Sequence, residues 1–407
     1  MKKLNKQNGI TLIALVITII VMLILVAVTI SMAINGGLFE KAGKATGDTR
    51  NAMNAEQALA SGQITIDGKT YASIDDYLAG KEAMLTYDEA TKENGFLTVK
   101  ARYESDGKIA IIPKGFKIIE DAEGKKSIDA GLVIQDKNGN EFVWVPVTND
   151  LGSSYSSETG YSEPRELTDT WADSTNTPKP KYDSQEILDE LYESYETENP
   201  YTYSEDFKYA DEYAEMVRCV NANDGFYIGR YETTVDDEGN IGSKYNTTVL
   251  TAARPLFTTD SANYPYCWYG LYYVSKNANV TGNGTDVQTA MIYGVLYDKA
   301  MDFIRTQKAA GKTTYDVDSS TASWHGSANG HTGVVNSGQA NSGDVALNIW
   351  DLESNALEWT QEAFASDRRG FRGGYYYYSY SASYHSFSYY PTYKPTTGSS
   401  RIALYIK

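Results

Sequence analysis

The apolar residues of this chain are distributed in two different ways along its length. Residues Ile10–Ile34 are apolar apart from Thr and Ser, and none of them is charged. As a helix with a rise of about 1.5 Å per residue, this run is longer than the roughly 30 Å hydrocarbon core of a bilayer. The preceding segment Met1–Asn8 contains three lysines, which favour the cytoplasmic side. The pattern predicts a single-pass protein of the cell membrane whose remaining residues are extracellular.

Beyond this run, alternating apolar and polar residues predict short strands joined by tight turns. Two hairpins are expected, because Asp-Gly and Asn-Gly favour two-residue turns between strands. They lie at Gln63–Ile74, around Asp67-Gly68, and at Gly131–Val147, around Asn138-Gly139. The other predicted elements are strands at Phe96–Tyr103, Lys108–Ile112, Gly225–Thr233 and Arg401–Lys407, and helices at Asp75–Met84, Ser184–Tyr195 and Met291–Ile304.

These elements predict an α+β protein with an N-terminal transmembrane helix. Its expected parts are a Lys-rich segment 1–9, a transmembrane helix and stalk 10–60, a small α+β spacer 61–112, and a large irregular domain 113–407. The large domain contains an acidic insertion at 149–215 and a Tyr/Ser-rich segment at 375–393. Acid-rich segments are usually solvated, so the insertion is assigned no chemistry.

Charge and cysteine content exclude several classes of function. The net charge of -17 argues against nucleic acid and anionic lipid as partners, because both require basic patches. Cys219 and Cys267 allow at most one disulfide bridge, and a bridge and two separate thiols are equally open. His325 and His331 lie in a Gly/Ser/Asn loop without clustered carboxylates, so they predict no metal site. Neither a GxSxG motif nor a phosphate-binding loop is present.

The segment Tyr375–Tyr393, called the Tyr/Ser segment below, carries the strongest functional signal. Its sequence is YYYYSYSASYHSFSYYPTY, with nine Tyr and five Ser in nineteen residues. It lacks the periodicity and the Leu, Val and Ile of a packed core, and it is too aromatic for a disordered tail. Tyr supplies rigid amphipathic contact area and Ser supplies adaptable hydrogen bonds, as in antibody paratopes. The segment therefore predicts a recognition surface, with a low-complexity surface loop as the alternative.

The codons that can encode this segment suggest an origin for its composition. All nineteen residues belong to amino acids that have codons ending in a pyrimidine. That is the expected outcome if the Asn codons AAC or AAT in a template had been randomised at their adenines.

The N-terminus is similar to that of type IV prepilins. A Lys-rich leader is followed by Gly9, then by Ile10-Thr11-Leu12 and the long apolar helix. The resemblance implies that a prepilin peptidase cleaves after Gly9 and that Ile10 becomes the new N-terminus. Pilins that polymerise usually carry Glu at the fifth mature position, where this chain has Ala14. A minor pilin-like structural subunit is therefore an alternative, and membrane anchoring is the main expectation.

Six motifs between Pro113 and Lys407 resemble the formylglycine-generating enzyme (sulfatase-modifying factor) superfamily. In order they are FVWVPV, GFYIGRYE, IYGVLYDKAMDFI, NIWDLESNALEWT, RGFRGG and SRIAL. The family motif Gly-Asn-Val-Trp-Glu-Trp-Thr corresponds to Ser354–Thr360 in this chain, and the motif Arg-Gly-Gly corresponds to Arg372–Gly374. Of the third family motif, Gly-Phe-Arg, this chain keeps only the arginine, as Arg401. The resemblance implies an irregular C-type-lectin-like α+β fold.

This resemblance also carries implications for metals and for chemistry. It implies structural Ca²⁺ held by oxygen ligands around Asn355 and Glu358, and the alternative is that these side chains only orient the local turn. The enzymes of the family use a pair of Cys before the last strand, because soft sulfur ligands select Cu(I). The Tyr/Ser segment occupies that stretch here and contains no Cys. The expectation is a non-enzyme, and a sulfatase-modifying-type enzyme with a relocated site is the alternative.

A Tyr/Ser segment between Arg372-Gly373-Gly374 and Arg401–Leu404 resembles the variable proteins of diversity-generating retroelements. That resemblance implies that adenine-directed mutagenesis rewrites solvent-facing positions while the scaffold stays fixed. The scaffold positions inside and just after the segment would be Ala382, Pro391, Thr392 and Pro395. The implied ligand-contact residues are Tyr375, Tyr376, Tyr377, Tyr378, Tyr380, Tyr384, His385, Phe387, Tyr389, Tyr390 and Tyr393. The expected function is ligand binding at the cell surface, to a protein or another surface ligand.

Overall fold

The computed structural model divides the chain into two compact units, Met1–Gly80 and Lys81–Lys407. It describes residues 64–66, 69–71, 84–121, 124, 126–147, 151, 165–166, 209–251, 268–324, 330–365, 368–378, 380–384, 387–389 and 395–407. The predicted membrane helix, the helix predicted at 184–195 and almost all of the one predicted at 75–84 lie outside these residues, as does Cys267. Within the described residues, no helix combines the length and the apolar character needed to cross a membrane.

The first unit contains one described hairpin. Strand β1 (Ile64–Ile66) pairs antiparallel with β2 (Lys69–Tyr71), and the register sets Ile66 opposite Lys69. This confirms the hairpin predicted at Gln63–Ile74.

The second unit consists of short strands and three described α-helices. In chain order the strands are β3 (Lys92–Glu93), β4 (Phe96–Leu97), β5 (Ala101–Ser105), β6 (Lys108–Ile112), β7 (Phe116–Ile119), β8 (Val133–Asp136), β9 (Glu141–Pro146), β10 (Arg165–Glu166), β11 (Gly225–Gly229), β12 (Thr234–Val235), β13 (Ile241–Gly242), β14 (Thr248–Val249), β15 (Val287–Met291), β16 (Val345–Ala346), β17 (Ile349–Trp350), β18 (Leu357–Ala365), β19 (Arg368–Arg372), β20 (Phe387–Tyr389), β21 (Gly398–Ser400) and β22 (Ile402–Ile406). The helices are α1 (Tyr209–Asn223), α2 (Trp268–Lys276) and α3 (Gly294–Ala309).

A six-stranded antiparallel sheet forms the centre of this unit, in the order β15-β22-β11-β9-β8-β7. Strand β22 lies between β15 and β11, with Leu404 opposite both Thr289 and Tyr227. The strands predicted at Gly225–Thr233 and Arg401–Lys407 are therefore confirmed. The hairpin predicted at Gly131–Val147 is confirmed as β8 and β9.

Both faces of the central sheet are buried, which explains why its inner strands β11 and β22 are apolar without interruption. Along β11, Phe226 and Ile228 pack into one hydrophobic core and Tyr227 packs into the other. Successive side chains of a strand point to opposite faces, so a sheet covered on both sides needs apolar residues at every position. Helices α1 and α3 contribute to the first core, and α2 contributes to the second.

The hairpin of β5 and β6 belongs to the second unit and packs on its core. Asp106 and Gly107 both have positive φ, at 55° and 69°, as a two-residue turn of this hand requires. The Tyr227 hydroxyl donates to the Ile111 carbonyl at 2.9 Å, and Ile112 is fully buried. The spacer boundary predicted after residue 112 therefore lies inside the compact unit that begins at Lys81.

Two element boundaries differ from the sequence prediction. The strand predicted at Phe96–Tyr103 is divided, because Phe96–Leu97 pairs with β3 across the Asn94-Gly95 turn, whereas Ala101–Ser105 pairs with β6. The helix predicted from Met291 begins at Gly294, because Met291 pairs with Ile402 as the last residue of β15.

A second sheet carries the Tyr/Ser segment. Strand β18 is its centre, with β19 antiparallel on one side, β10 and β21 as further partners, and β20 next to β19. The pairing of β18 with β21 is parallel and sets Leu357 opposite Gly398. The Tyr/Ser segment follows β19, includes β20 and precedes β21, so this sheet holds the backbone on both sides of it.

Candidate ligand-binding surface

The two residues just before the Tyr/Ser segment occupy backbone positions that admit only glycine. Gly373 has a φ of +75°, and a Cβ there would lie 2.6 Å from the Leu352 carbonyl oxygen. A Cβ on Gly374 would lie 2.2 Å from the Glu353 carbonyl oxygen. Both distances are shorter than any real contact of a Cβ, so the Arg-Gly-Gly motif is explained by close backbone packing.

Backbone hydrogen bonds hold the segment to two neighbouring loops and to its own beginning. The Gly373 amide donates to the Tyr384 carbonyl at 3.1 Å, which closes residues 373–384 into one loop. The Tyr376 amide donates to the Asn355 carbonyl at 3.1 Å, and the Ser383 amide donates to the Val317 carbonyl at 2.9 Å. None of these bonds uses a side chain of the segment.

Ala382 is the buried anchor of this loop. Its exposed fraction is 0 %, and its carbonyl accepts a hydrogen bond from the Tyr297 hydroxyl of α3 at 3.1 Å. Pro395 is buried as well. Both are positions for which the resemblance described above implies a scaffold role, whereas Pro391 and Thr392 lie outside the described residues.

Three tyrosine rings of the segment, called the outward rings below, are exposed to solvent. Tyr377 is 66 % exposed, Tyr378 is 50 % exposed and Tyr389 is 38 % exposed. The rings of Tyr377 and Tyr378 touch edge to face at a centroid distance of 4.8 Å. Half or more of the surface of Tyr377 and Tyr378 is therefore available to a partner, and a smaller part of the Tyr389 ring is available as well.

The other described tyrosines of the segment are less exposed, and they contact one another and the outward rings. Tyr375, Tyr376, Tyr380 and Tyr384 are half-buried. Tyr380 and Tyr384 stack at 4.3 Å and 18°, and the ring of Tyr375 meets that of Tyr378 at 5.7 Å. Burial raises the pKa of Tyr375 to about 12, and the Tyr378 hydroxyl acts in the same direction. Its hydroxyl is therefore neutral at physiological pH and can donate a hydrogen bond.

The remaining predicted contact residues are described in part or not at all. Phe387 lies in β20 with its backbone opposite Phe371, and its side chain is not described. His385, Tyr390 and Tyr393 lie outside the described residues. The structure thus brings together seven of the eleven predicted side chains, those of Tyr375, Tyr376, Tyr377, Tyr378, Tyr380, Tyr384 and Tyr389.

A buried ion pair fixes the strand that leads into the segment. The Arg372 guanidinium donates to Glu362 through Nε at 2.7 Å and through Nη2 at 2.6 Å. The two side chains are 2 % and 1 % exposed. The Thr360 hydroxyl also donates to Glu362 at 2.7 Å, so this carboxylate is well satisfied. Bidentate charge-assisted bonds of this kind fix orientation as well as position.

A second buried ion pair lies on the other side of the segment, where Ca²⁺ was predicted. Arg401 Nε donates to Glu358 at 3.0 Å, and Arg401 also donates to the carbonyls of Gly229 and Trp350. The Asn355 amide nitrogen donates to Glu232 at 2.7 Å. These contacts satisfy Asn355 and Glu358 from within the protein, and the calcium site stays a prediction. In the part of the chain that the structure describes, no group of three or more His, Cys, Asp or Glu is placed to hold a metal ion.

A buried carboxyl group connects the segment to the loop at 315–321. Glu353 accepts the Thr321 amide at 2.9 Å and is 0 % exposed. Burial raises the pKa of Glu353 to about 8, and the nearby Asp344 carboxylate acts in the same direction. Asp344 in turn accepts the Tyr315 hydroxyl at 2.6 Å and the Ser354 hydroxyl at 2.7 Å. This polar network holds the loops on which the Tyr/Ser segment rests.

Sequence reasoning did not identify the supporting residues Tyr297, Val317, Leu352 and Glu353. All four act through main-chain or buried contacts with residues more than twenty positions away, which local patterns do not encode. Glu353 could have been found from the sequence, because it begins a run of three polar residues, Glu353-Ser354-Asn355, between apolar ones. Such a run indicates buried hydrogen bonding or a turn.

Comparisons with known proteins give two weak structural similarities. No protein-family model and no curated protein matches this chain. The structure of CarF is similar with a TM-score of 0.28 and 13 % identity, over 45 % of this chain and 87 % of that one. The structure of Treponema denticola variable protein 1 is similar with a TM-score of 0.22 and 11 % identity, over 75 % of this chain and 98 % of that one. Similarities this weak carry no argument about fold or function, so the proposals below rest on the residues themselves.

Proposed function

We propose that this chain is a receptor- or adhesin-like ligand-binding protein of the cell surface, and that its Tyr/Ser segment is a diversifiable binding surface. The observation that carries the proposal is the exposure of Tyr377, Tyr378 and Tyr389 on a loop that is held by its backbone and by Ala382. Binding and scaffold functions thus fall on different atoms of the same segment.

This division is what a diversifiable surface requires. A main-chain amide or carbonyl is present whatever the side chain is, so the bonds to Asn355 and Val317 would survive changes in the outward rings. The fixed positions would be those with no room for another residue, namely Gly373, Gly374 and Ala382. The segment could therefore present many side-chain sets on one backbone.

The chemistry of the outward rings suits recognition of a macromolecular or cell-surface partner. Each ring offers a flat apolar face and a hydroxyl that donates and accepts hydrogen bonds. Truncation of a tyrosine hot spot typically costs on the order of 2 kcal/mol or more of binding free energy. Three exposed rings could therefore account for a specific interaction without any cofactor.

Attachment to the membrane is part of the same proposal. The uncharged run Ile10–Ile34 behind a Lys-rich segment would hold the chain in the membrane with the second unit outside the cell. Cleavage after Gly9 by a prepilin peptidase would leave that anchor intact.

A pair of libraries tests the binding surface. One library randomises positions 377, 378 and 389 in the full chain, and its matched control randomises the buried positions Tyr297, Tyr315 and Ala382. We expect most members of the first library to keep the parental melting temperature and some to bind a protein target such as hen lysozyme after selection. Most members of the control library should not fold. Equal loss of folding in both libraries would refute the proposal.

The genome gives an independent test of diversification. We expect a reverse transcriptase gene nearby and a near-copy of codons 375–393 with adenines at the positions that differ. Absence of both would remove diversification and leave a fixed tyrosine-rich surface.

A further inference from the structure

A cavity of about 470 Å³ lies between helix α3, the start of strand β6 and the end of strand β9. Lys108 lines it from β6, Pro146 lines it from β9, and α3 contributes residues from Lys299 to Gln307. None of the lining residues belongs to the Tyr/Ser segment, and no part of the proposed function uses this cavity. A ligand bound here would therefore occupy a second site.

The side chain of Gln307 is the sign that this cavity takes a ligand. Gln307 is only 2 % exposed, and it lines the cavity. In the part of the chain that the structure describes, its Oε1 is buried and accepts no hydrogen bond. Buried polar side-chain atoms in native proteins nearly always have a partner. A group that donates to this oxygen is therefore expected inside the cavity.

A hydroxyl group is the partner that suits this amide best. The Gln307 side chain offers an acceptor oxygen and a donor nitrogen on one carbon atom, and a hydroxyl group both donates and accepts hydrogen bonds. An ammonium group would also donate to Oε1, but the lysines of the lining, Lys108 and Lys299, would repel it. The amide and the charge of the lining together favour a hydroxyl group over an amine.

Lysine 299 gives the cavity its excess positive charge. Lys108 pairs with Asp129, and Asp302, the acidic residue of the lining, pairs with Arg305 at 2.8 Å. Lys299 is half-buried, and among the described residues it forms no ion pair. An anionic group is attracted to this amine, whereas the net charge of the whole chain, -17, repels it elsewhere.

The spacing of these two side chains sets the form of the ligand. Lys299 and Gln307 are eight residues apart on α3, so their Cα atoms are separated by about 12 Å along the helix axis. A ligand that reaches both residues must carry its hydroxyl group and its anionic group several ångströms apart. Sugar acids have this arrangement, because a carboxylate and several hydroxyl groups are attached to one ring.

We propose that this cavity binds a sugar acid, a hydroxylated carboxylate of the hexuronate class. Its carboxylate accepts hydrogen bonds from the Lys299 amine, a ring hydroxyl pairs with the Gln307 amide, and the ring lies beside the half-buried Pro146. The site is separate from the Tyr/Ser segment, so it stands or falls independently of the proposed function.

Saturation-transfer NMR on the full chain with sodium D-glucuronate as the probe tests this site. D-Glucose is the matched probe without the carboxylate, and cyclohexanecarboxylate is the matched probe without the hydroxyl groups. We expect saturable transfer to the ring protons of D-glucuronate and an affinity at least about tenfold weaker for each of the other two probes, because each lacks one of the two recognised groups.

Two substitutions in the cavity separate the contributions of charge and amide. Lys299→Met keeps the stem and removes the charge, so it should weaken the affinity for D-glucuronate by about tenfold or more. Gln307→Met removes the amide and should weaken the affinity by about three- to tenfold. Because Oε1 has no partner among the described residues, Gln307→Met should not lower the melting temperature of the protein without probe.

A third substitution controls for diffuse attraction of the probe. Lys137→Met removes the same charge from an exposed lysine in the turn between β8 and β9, and it should leave the affinity unchanged. Equal weakening by Lys137→Met and Lys299→Met would show that charge outside the cavity attracts the probe. Equal affinity for either matched probe would show that the cavity does not recognise both groups. Each of these results would overturn the proposal, as would a lack of saturation or an unchanged affinity in Gln307→Met.

Discussion

Replacing all three outward rings with Ser separates a binding surface from a folding core. The perturbation is Tyr377→Ser/Tyr378→Ser/Tyr389→Ser, at side chains that are 66 %, 50 % and 38 % exposed. An exposed substitution usually changes the free energy of unfolding by about 0.5 kcal/mol or less. Tyr389 should exceed this value, because its ring meets Phe371 edge to face at 6.1 Å and such pairs contribute about 0.5–1.5 kcal/mol. We therefore expect a total loss of about 2 kcal/mol, which an ordinary domain survives.

Two control substitutions calibrate this value. Tyr297→Ser removes a fully buried ring and its hydrogen bond to the Ala382 carbonyl, so it should cost about 3–5 kcal/mol on its own. Tyr245→Ser removes a ring that is 53 % exposed but lies outside the Tyr/Ser segment. Its ring meets those of Tyr231 at 5.7 Å and Trp350 at 6.3 Å, so the substitution should cost a stability similar to that of an outward ring, about 0.5–1.5 kcal/mol, and should leave binding unchanged.

Urea unfolding gives the stability of the four proteins, and titration with a partner selected against the parental segment gives their affinities. The triple variant should lose about 30-fold or more in affinity, since truncation of even one tyrosine hot spot costs on the order of 2 kcal/mol. Tyr245→Ser should bind as the parent does. If the triple variant fails to fold, or loses as much stability as Tyr297→Ser, the outward rings are packing residues and the binding interpretation is refuted.

Three further predictions concern the anchor, the buried carboxyl group and calcium. The run Ile10–Ile34 leads us to expect that protease added to intact cells digests the rest of the chain, and recovery of full-length soluble protein from the cytosol would contradict this. Because the pKa of Glu353 is raised to about 8, the stability that its proton contributes is present below the ordinary carboxyl value of 4.5 and is lost as pH rises through about 8. The melting temperature of the parent should therefore fall as pH rises from about 5 to about 9, and this fall should be smaller in Glu353→Gln. An equal fall in both proteins would show that other groups cause the pH dependence. If Ca²⁺ binds at Asn355 and Glu358, melting temperature should be higher with Ca²⁺ than with a chelator, whereas identical curves would leave Arg401 as the partner of Glu358.

The sequence predicted those elements whose information is local. The hairpins around Asp67-Gly68 and Asn138-Gly139 were predicted because their turn residues and flanking alternation agree. The Asn94-Gly95 turn was missed, although it has the same turn chemistry, because its first strand is the polar pair Lys92–Glu93. Without an apolar alternation on both sides, a turn residue pair gives no strand signal.

Contacts between distant parts of the chain were beyond the sequence pattern. The parallel pairing of β18 with β21 joins Leu357 to Gly398, and nothing in either local sequence indicates that partner. The same holds for the bond from the Ser383 amide to the Val317 carbonyl. Composition predicted that the Tyr/Ser segment is a surface, but it could not tell which tyrosines are exposed. The structure shows that Tyr377 and Tyr378 are exposed, whereas Tyr375 and Tyr376 are half-buried.

The buried ion pairs explain how a segment of variable sequence could be tolerated. Arg372 lies just before the Tyr/Ser segment and Arg401 lies after it, and both pair with carboxylates of the single strand β18, at Glu362 and Glu358. Buried charges are costly to desolvate, and loss of one partner typically costs about 3–5 kcal/mol, so each pair strongly disfavours any alternative register of its strand. The four side chains lie outside residues 375–393, so substitutions within the segment leave both ion pairs in place. The backbone is therefore fixed both before and after the segment, and a new sequence needs only to be compatible with the loop between these two points. This is the physical condition for diversification without loss of the fold.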